Sequence, residues 1–136
     1  MSLGDYLRYL RAVHGGESTQ DIATKLGLPS PWPINEIEQR YRDCGDNELV
    51  ARLAEYYGVP VEEMQWRRRR SRKALTAFLS EAQDNAHTIV LVLRNEERLI
   101  GTVEWFDMGA ILLKPLDDEK RDIMVQRHIV DDWEMA

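Results

Sequence analysis

The spacing of apolar residues changes from helical to strand-like between residues 72 and 88, and this change limits the possible folds more than any other feature. Before it, apolar residues recur every three or four positions. After it, β-branched and apolar residues form short runs with a period of two. We therefore predict an α+β protein with a helical domain over residues 1–66, a basic linker over 67–73 and a strand-rich domain over 74–136.

The first half carries start and stop signals for five short helices. Leu3, Leu7 and Leu10 share one face of a first helix. Ser18 or Thr19 is expected to cap a second helix, because both side chains can accept a hydrogen bond from a free N–H group of the first turn. The sequence thus predicts a compact, all-helical module.

The remaining helices are predicted from prolines and caps. A third helix is expected after Pro33, because the prolines up to that point should hold the chain extended. Asp46 or Asn47 is expected to cap a fourth helix. A fifth opens at Pro60, and the pattern allows it to continue through the arginines into residues 74–84.

The second half predicts five short strands behind one helix. Gly101 is expected to let the second strand bend sharply. Val103 and Trp105 are expected to alternate with polar neighbours, as are Ile111 and Leu113. Such strands suit a small bent sheet or barrel, and the last strand is too apolar to remain an unpaired edge. The predicted elements are a helix over 72–84 and the strands Thr88–Arg94, Arg98–Asp107, Ala110–Pro115, Asp122–Gln126 and Ile129–Trp133.

Composition excludes several classes of protein. No apolar run approaches the roughly 20 residues of a membrane-spanning helix, and the first residues lack the pattern of a signal peptide. Cys44 is the only cysteine, so an internal disulfide is impossible. His14, His87 and His128 lack metal-ligand spacing, and no set of side chains indicates a nucleophile. We expect a cytoplasmic protein that is not an enzyme and uses no metal or cofactor.

The distribution of charge is more informative than the net charge of −6. Residues 1–66 hold 6 basic and 11 acidic residues, and residues 74–136 hold 6 basic and 13 acidic residues. Residues 67–73 hold 6 basic residues and no acidic one. Screening limits a surface field to about 10 Å, so this segment can attract phosphate although the chain is acidic overall.

The basic segment has two interpretations. Its cations repel one another and need counter-charge, which nucleic-acid phosphates would supply with release of counterions. Alternatively, it is a solvated linker whose arginines pair with the acidic halves. The residues of this predicted phosphate-binding patch are Arg67, Arg68, Arg69, Arg70, Arg72 and Lys73.

Two segments of the first half resemble one family of DNA-binding regulators. Ser18–Leu28 resembles the first half of the helix-turn-helix in Cro and phage-repressor-type proteins. Leu49–Pro60, with its Gly-Val-Pro ending, resembles the fourth helix of that family, so the resemblance covers residues 3–65. It implies a third helix in the major groove. The DNA-contacting residues that it implies are Thr19, Gln20, Asn35, Gln39 and Arg40.

The third helix departs from the family pattern. Pro31-Trp32-Pro33 precedes it, and Glu36 would point a carboxylate towards DNA, although Glu38 matches the glutamate of the family. Arginine, asparagine and glutamine are the usual side chains that contact base edges. Two alternatives stay open: sequence-specific DNA binding, or a helix-turn-helix fold that is used for protein contacts.

The second half resembles Hfq, the bacterial Sm-like RNA chaperone. The segment Leu99–Lys114 contains a glycine, then Glu-x-Phe-Asp, then Ile-Leu-Leu-Lys at the family's spacing. Met124–His128 resembles its second motif, in which a basic residue and a histidine lie between the last two strands. The resemblance covers residues 72–134 and implies an Sm-like β-barrel that assembles into a ring, a hexamer, through the edges of its sheets.

This resemblance implies an RNA-binding site around the pore of the ring. Arg127 and His128 would contact phosphate or base. Two departures weaken the expected affinity for uridine: Met108-Gly109 replaces a glutamine and a stacking phenylalanine, and Gln83-Asp84-Asn85 lacks the basic rim of the family. The basic segment can substitute for that rim. The implied RNA-binding residues are Arg127, His128, Asp107, Met108 and Lys114.

Structural roles are also open to several of these residues. The alternative for His128 is a structural role alone, in a turn or at a subunit interface. The alternative for Asp107 is a structural role as a hydrogen-bonding residue at a strand end. Trp105 and Trp133 are expected to pack rather than to stack on bases. The sequence therefore predicts a nucleic-acid-binding regulatory protein, with RNA as the main partner and DNA as a second. The alternative is an oligomeric scaffold whose ring displays helical modules for protein contacts.

Overall fold

The computed structural model describes residues 1–39 and 46–136 and divides the chain into two compact units. The first unit is Ser2–Ser71, and the second is Arg72–Ala136 together with Met1. This division falls inside the segment that was predicted as a linker, so the basic residues are shared between the two units. Arg40 and Cys44 lie outside the described residues.

Among the described residues, five helices form the first unit, as the apolar spacing predicted. Their apolar faces meet in one core, where Leu7, Ile22, Ile34, Leu53 and Met64 are almost completely buried. The helices are α1 (Leu3–Val13), α2 (Thr19–Lys25), α3 (Trp32–Gln39), α4 (Asn47–Tyr57) and α5 (Val61–Arg68).

Two predicted caps are confirmed, each at the first of its two candidate residues. Ser18 Oγ accepts a hydrogen bond from the N–H group of Asp21 at 3.1 Å, and Asp46 Oδ1 accepts one from the N–H group of Leu49 at 2.7 Å. Both side chains replace the carbonyl partner that the first turn of a helix lacks.

Two predicted helix boundaries are wrong. α3 begins at Trp32 rather than after Pro33, because a proline in the first turn loses no intrahelical hydrogen bond. The fifth helix does not continue through the arginines. α5 ends at Arg68, and the N–H groups of Arg69 and Arg70 donate to carbonyls three residues earlier, a tightening that is typical of a helix end.

The second unit begins with a new helix, α6 (Arg72–Asp84), followed by an antiparallel sheet. The strand order is β4-β3-β2-β1-β5, so in this described unit the sheet is open and has β4 and β5 at its edges. The α+β class and the succession of strands are confirmed, whereas the chain does not close a barrel by itself. The strands are β1 (Thr88–Leu93), β2 (Arg98–Phe106), β3 (Ala110–Pro115), β4 (Ile123–Gln126) and β5 (Val130–Met135).

The core of the second unit lies between α6 and one face of the sheet. Leu75 and Leu79 of α6 pack with Leu91, Ile111 and Leu113 of the strands. The β2–β3 turn (residues 107–109) joins the central strands, and a 3₁₀ turn, Arg127–Ile129, separates β4 from β5. The last strand was expected from Ile129, but the 3₁₀ turn delays it to Val130.

The predicted alternation along β2 is wrong after Val103. The register against β3 shifts between Val103 and Trp105, so Glu104 is the extra residue of a β-bulge. Val103 stays in the core, but Trp105 is 43% exposed and pairs with Leu112 on the opposite face. Trp105 therefore lies outside the core, beside Leu112, whereas Trp133 packs against the core at the Phe78 ring.

Gly101 marks a close approach of two strands. A Cβ atom at this position would lie 2.2 Å from the carbonyl oxygen of Lys114 on β3. The glycine is therefore required because β3 comes within contact distance of the β2 backbone, a constraint that adds to the predicted bend.

Candidate nucleic-acid interface

A buried arginine ties together three separate segments of the second unit. Arg127 is only 7% exposed. Its Nη1 donates to the carbonyl of Asp107 at 2.7 Å, and its Nη2 donates to the carbonyl of Arg72 at 3.1 Å and to Thr76 Oγ1 at 2.7 Å. The start of α6, the β2–β3 turn and the 3₁₀ turn consequently meet at one end of the unit.

Asp107 shapes the β2–β3 turn. Its Oδ1 accepts hydrogen bonds from the backbone N–H groups of Gly109 and Ala110, both at 2.8 Å. These two bonds stabilise the carboxylate and lower the pKa of Asp107, with a smaller contribution from the Arg127 charge. The geometry fits the structural role that was left open for Asp107, because the carboxylate oxygen is engaged within its own turn.

Four exposed residues belong to the segments that Arg127 joins. Met108 and Asp107 lie on the β2–β3 turn, His128 follows Arg127 in the 3₁₀ turn, and Lys73 follows Arg72 at the start of α6. We call these four residues, Lys73, Asp107, Met108 and His128, the turn surface. The structure thus brings the end of the basic segment next to the histidine motif, which the sequence did not predict.

Lys114 is not part of the turn surface. It is exposed at the far end of β3, four residues beyond Ala110, which corresponds to roughly 13 Å along a strand. The structure therefore separates Lys114 from the other residues that the Sm-like resemblance grouped for RNA binding.

The first arginines of the basic segment have protein partners in the first unit. Arg67 is buried, pairs with Glu63 at 2.8 Å and lies 4.3 Å from the centroid of the Tyr6 ring. Arg68 donates to the side-chain oxygen of Asn47 at 2.7 Å. For Arg67 and Arg68, these contacts favour the interpretation that the arginines pair within the protein over the interpretation that they form a phosphate-binding patch.

The rest of the segment differs in its surroundings. Arg70 stacks over the Trp66 ring at 4.8 Å, and Arg69 is exposed. Arg72 and Lys73 belong to the second unit, where the Arg72 carbonyl accepts from Arg127. The basic segment is therefore not one continuous patch within either unit.

The residues implied for DNA binding lie on α2 and α3. Thr19 and Gln20 occupy the first turn of α2, and Gln20 Nε2 donates to Thr24 Oγ1 at 3.3 Å. Asn35 is half-buried and Gln39 is exposed on α3. Arg40, the cation of the set, lies outside the described residues, so basic charge for this face is not supplied by the described part of α3.

A buried ion pair and an exposed tryptophan complete the description of α3. Glu38 is 4% exposed and accepts from Arg11 of α1 at 2.8 Å, so it holds the helix rather than facing outward. Trp32 is 62% exposed at the start of the helix. The sequence pointed to Trp32 as a departure from the family pattern but gave no signal of its exposure.

Comparison with known proteins does not assign a function. No model of a known protein family matches the chain, and no curated protein matches it. Within residues 1–39 and 46–136, no helix is long and apolar enough to cross a membrane. The side chains of this described part form no group of three or more histidine, cysteine, aspartate or glutamate residues that could hold a metal ion.

Proposed function

We propose that this chain is a regulatory protein that binds single-stranded RNA through the turn surface of its second unit. The observation that carries the proposal is the set of bonds from Arg127, which brings Lys73 and His128 to the same end of the unit. RNA in loops and single strands offers phosphates to cations and offers base edges and faces to side chains in surface turns.

The chemistry of the turn surface suits such a ligand. Lys73 and His128 supply hydrogen-bond donors, and Met108 is an exposed, polarisable side chain that can lie against a base. Asp107 adds a negative charge, but its Oδ1 is turned to the amides of its own turn. Because few groups contact the ligand, we expect weak binding per chain and a strong gain from multivalency.

We also propose that the second unit has the Sm-like architecture and assembles through its sheet edges. The strand order leaves β4 and β5 at opposite edges, so one copy can offer β4 to β5 of the next. An apolar row on the face of the sheet away from α6 reaches the β4 edge, formed by the exposed Trp105, the half-buried Leu112 and the exposed Met124 as cross-strand neighbours. Met124 is 58% exposed in the single chain, and a second copy would shield it.

The RNA proposal is tested by titrating the full chain with short uridine-rich RNA, adenine-rich RNA and duplex DNA at two salt concentrations. We expect binding to RNA that weakens steeply with salt. Lys73→Gln should lower the affinity and reduce the slope of log K against log salt by about 0.7, the value for one phosphate contact on a single strand. His128→Ala should lower the affinity for RNA as well.

The matched control is Lys120→Gln, which removes an equal charge from the exposed β3–β4 connection at the opposite end of β3. This variant should bind as the unchanged chain does. Equal losses from Lys73→Gln and Lys120→Gln would show a general charge effect and contradict the turn surface as the site. A chain that binds none of the three nucleic acids at low salt would contradict the proposal altogether.

A scaffold is the second candidate, and one observation favours it. Trp32 is exposed on the helix that would face DNA. Glu36 lies one helical turn further along this helix, and the basic segment 67–73 is distant in sequence. An exposed aromatic side chain is typical of protein-protein interfaces rather than of phosphate contacts. In this case the helical units would recruit proteins, and Trp32→Ala would abolish that recruitment without changing RNA binding.

A further inference from the structure

The side chain of Arg127 is directed into the protein rather than towards a ligand. Within the described residues, its side chain donates three hydrogen bonds, to two backbone carbonyls and one hydroxyl, in the β2–β3 turn and in α6. All three acceptors are neutral, and no described carboxylate forms an ion pair with it. Its backbone N–H group also donates to the carbonyl of Gly109 at 2.9 Å.

This arrangement makes the guanidinium a fixed bridge. The planar group presents its donors in a rigid fork, so bonds to Asp107 and Arg72 set the spacing between the turn and α6. To reach a phosphate, the side chain would have to leave acceptors that would then remain without a donor. A buried cation that is held by several hydrogen bonds is therefore better suited to ordering the site than to contacting the ligand.

We propose that Arg127 is a positioning residue of the RNA site: it orders the β2–β3 turn against α6, and Lys73 and His128 contact the RNA instead. The assignment of contacts rests on the proposed function. The ordering role does not, because it concerns bonds within the chain.

Thr76→Val provides a mild test. Valine has the shape of threonine, so the change deletes one acceptor of Arg127 and leaves the charge in place. If Arg127 positions the turn, the exchange of the backbone amides of Ala110 and Arg127 with solvent should become at least threefold faster. The affinity for uridine-rich RNA should fall about threefold to tenfold with an unchanged salt slope, because no phosphate contact is lost.

The opposite result is expected if Arg127 contacts phosphate directly. Freeing its side chain by Thr76→Val would then leave the RNA affinity unchanged or raise it, and that outcome would overturn the proposal. Thr102→Val, at the Lys114 end of the sheet, is the matched control and should change neither amide exchange nor affinity.

The two proposals fail in different ways. If the unchanged chain binds no RNA but Thr76→Val still accelerates exchange at Ala110 and Arg127, the RNA function is wrong and the ordering role stands. If exchange at these amides is the same in both proteins, the ordering role is wrong whether or not RNA binds. Circular dichroism of each variant checks whether the sheet and helices are intact.

Discussion

Arg11, Arg67 and Arg127 place their charged groups against protein acceptors, and each holds two segments together. Arg11 reaches Glu38 across α1 and α3, Arg67 lies between Glu63 and the Tyr6 ring, and Arg127 joins α6 to the β2–β3 turn. Such contacts depend on desolvation, because a charge that leaves water must find compensating partners. At the residue scale, therefore, the number of arginines overstates the cationic surface that is available to a ligand.

The buried Glu38–Arg11 pair gives a prediction for stability. Glu38→Gln should lower the free energy of unfolding of the first unit by about 2 kcal/mol, because it leaves the half-buried Arg11 charge without its counter-charge. This figure is below the value for a fully buried pair, since Arg11 is partly exposed. Hydrogen exchange of the α1 amides in the full chain measures the change.

The control is the pair between Arg8 and Asp5 on α1, in which the arginine is exposed and the carboxylate is half-buried. Arg8→Gln should cost less than about 1 kcal/mol, because solvent screens an ion pair whose cation is exposed. Equal losses in the two variants would mean that the burial of Glu38 does not strengthen its ion pair.

At the scale of elements, helix ends and strand details have different determinants. Ser18 and Asp46 cap their helices, and Gly58 ends α4 at a φ of +67°, a left-handed conformation that glycine adopts without strain. The bulge at Glu104 and the approach of β3 to Gly101 depend instead on the neighbouring strand. Helix ends are thus set by local chemistry, and strand details by the partner strand.

Gly101→Ala tests the close approach of β2 and β3. The new Cβ would meet the Lys114 carbonyl, a backbone atom that can move only with its strand, so we expect a destabilisation of about 1–3 kcal/mol or more. Chemical denaturation of the full chain, with exchange of the β2 and β3 amides, measures it.

Gly109→Ala is the matched substitution. The nearest atom to a Cβ there is the Asp107 Oδ1 at 3.7 Å, an ordinary contact distance. The stability should therefore change by less than about 1 kcal/mol. A harmless Gly101→Ala would show that the two strands separate more easily than this geometry implies.

At the scale of the whole molecule, the proposed assembly depends on the two open edges of the sheet, β4 and β5. The N–H group of Arg127 donates to the Gly109 carbonyl, next to β3. Because the N–H groups of successive residues in a strand point to opposite sides, the N–H group of Gln126 points away from β3, towards the open edge. The φ of Gln126 is −75°, a value that proline accepts. Gln126→Pro can therefore remove an edge donor without distorting the chain.

We expect the unchanged chain to be an oligomer by light scattering and Gln126→Pro to shift it towards the monomer at the same concentration. Gln126→Ala keeps the N–H group and should remain assembled. A monomeric unchanged chain would contradict assembly through the edges, and an oligomer that survives Gln126→Pro would place the interface elsewhere.

The sequence by itself determined the α+β class, the order of helices before strands, and caps such as Ser18 and Asp46. These features depend on apolar period and on hydrogen bonds between residues close in the chain, which are both visible in the sequence. It could not determine the exposure of Trp105 or the burial of Arg127. Those outcomes depend on atoms that are distant in the chain, such as the Thr76 hydroxyl and the Asp107 carbonyl, and only the tertiary structure brings them within bonding distance.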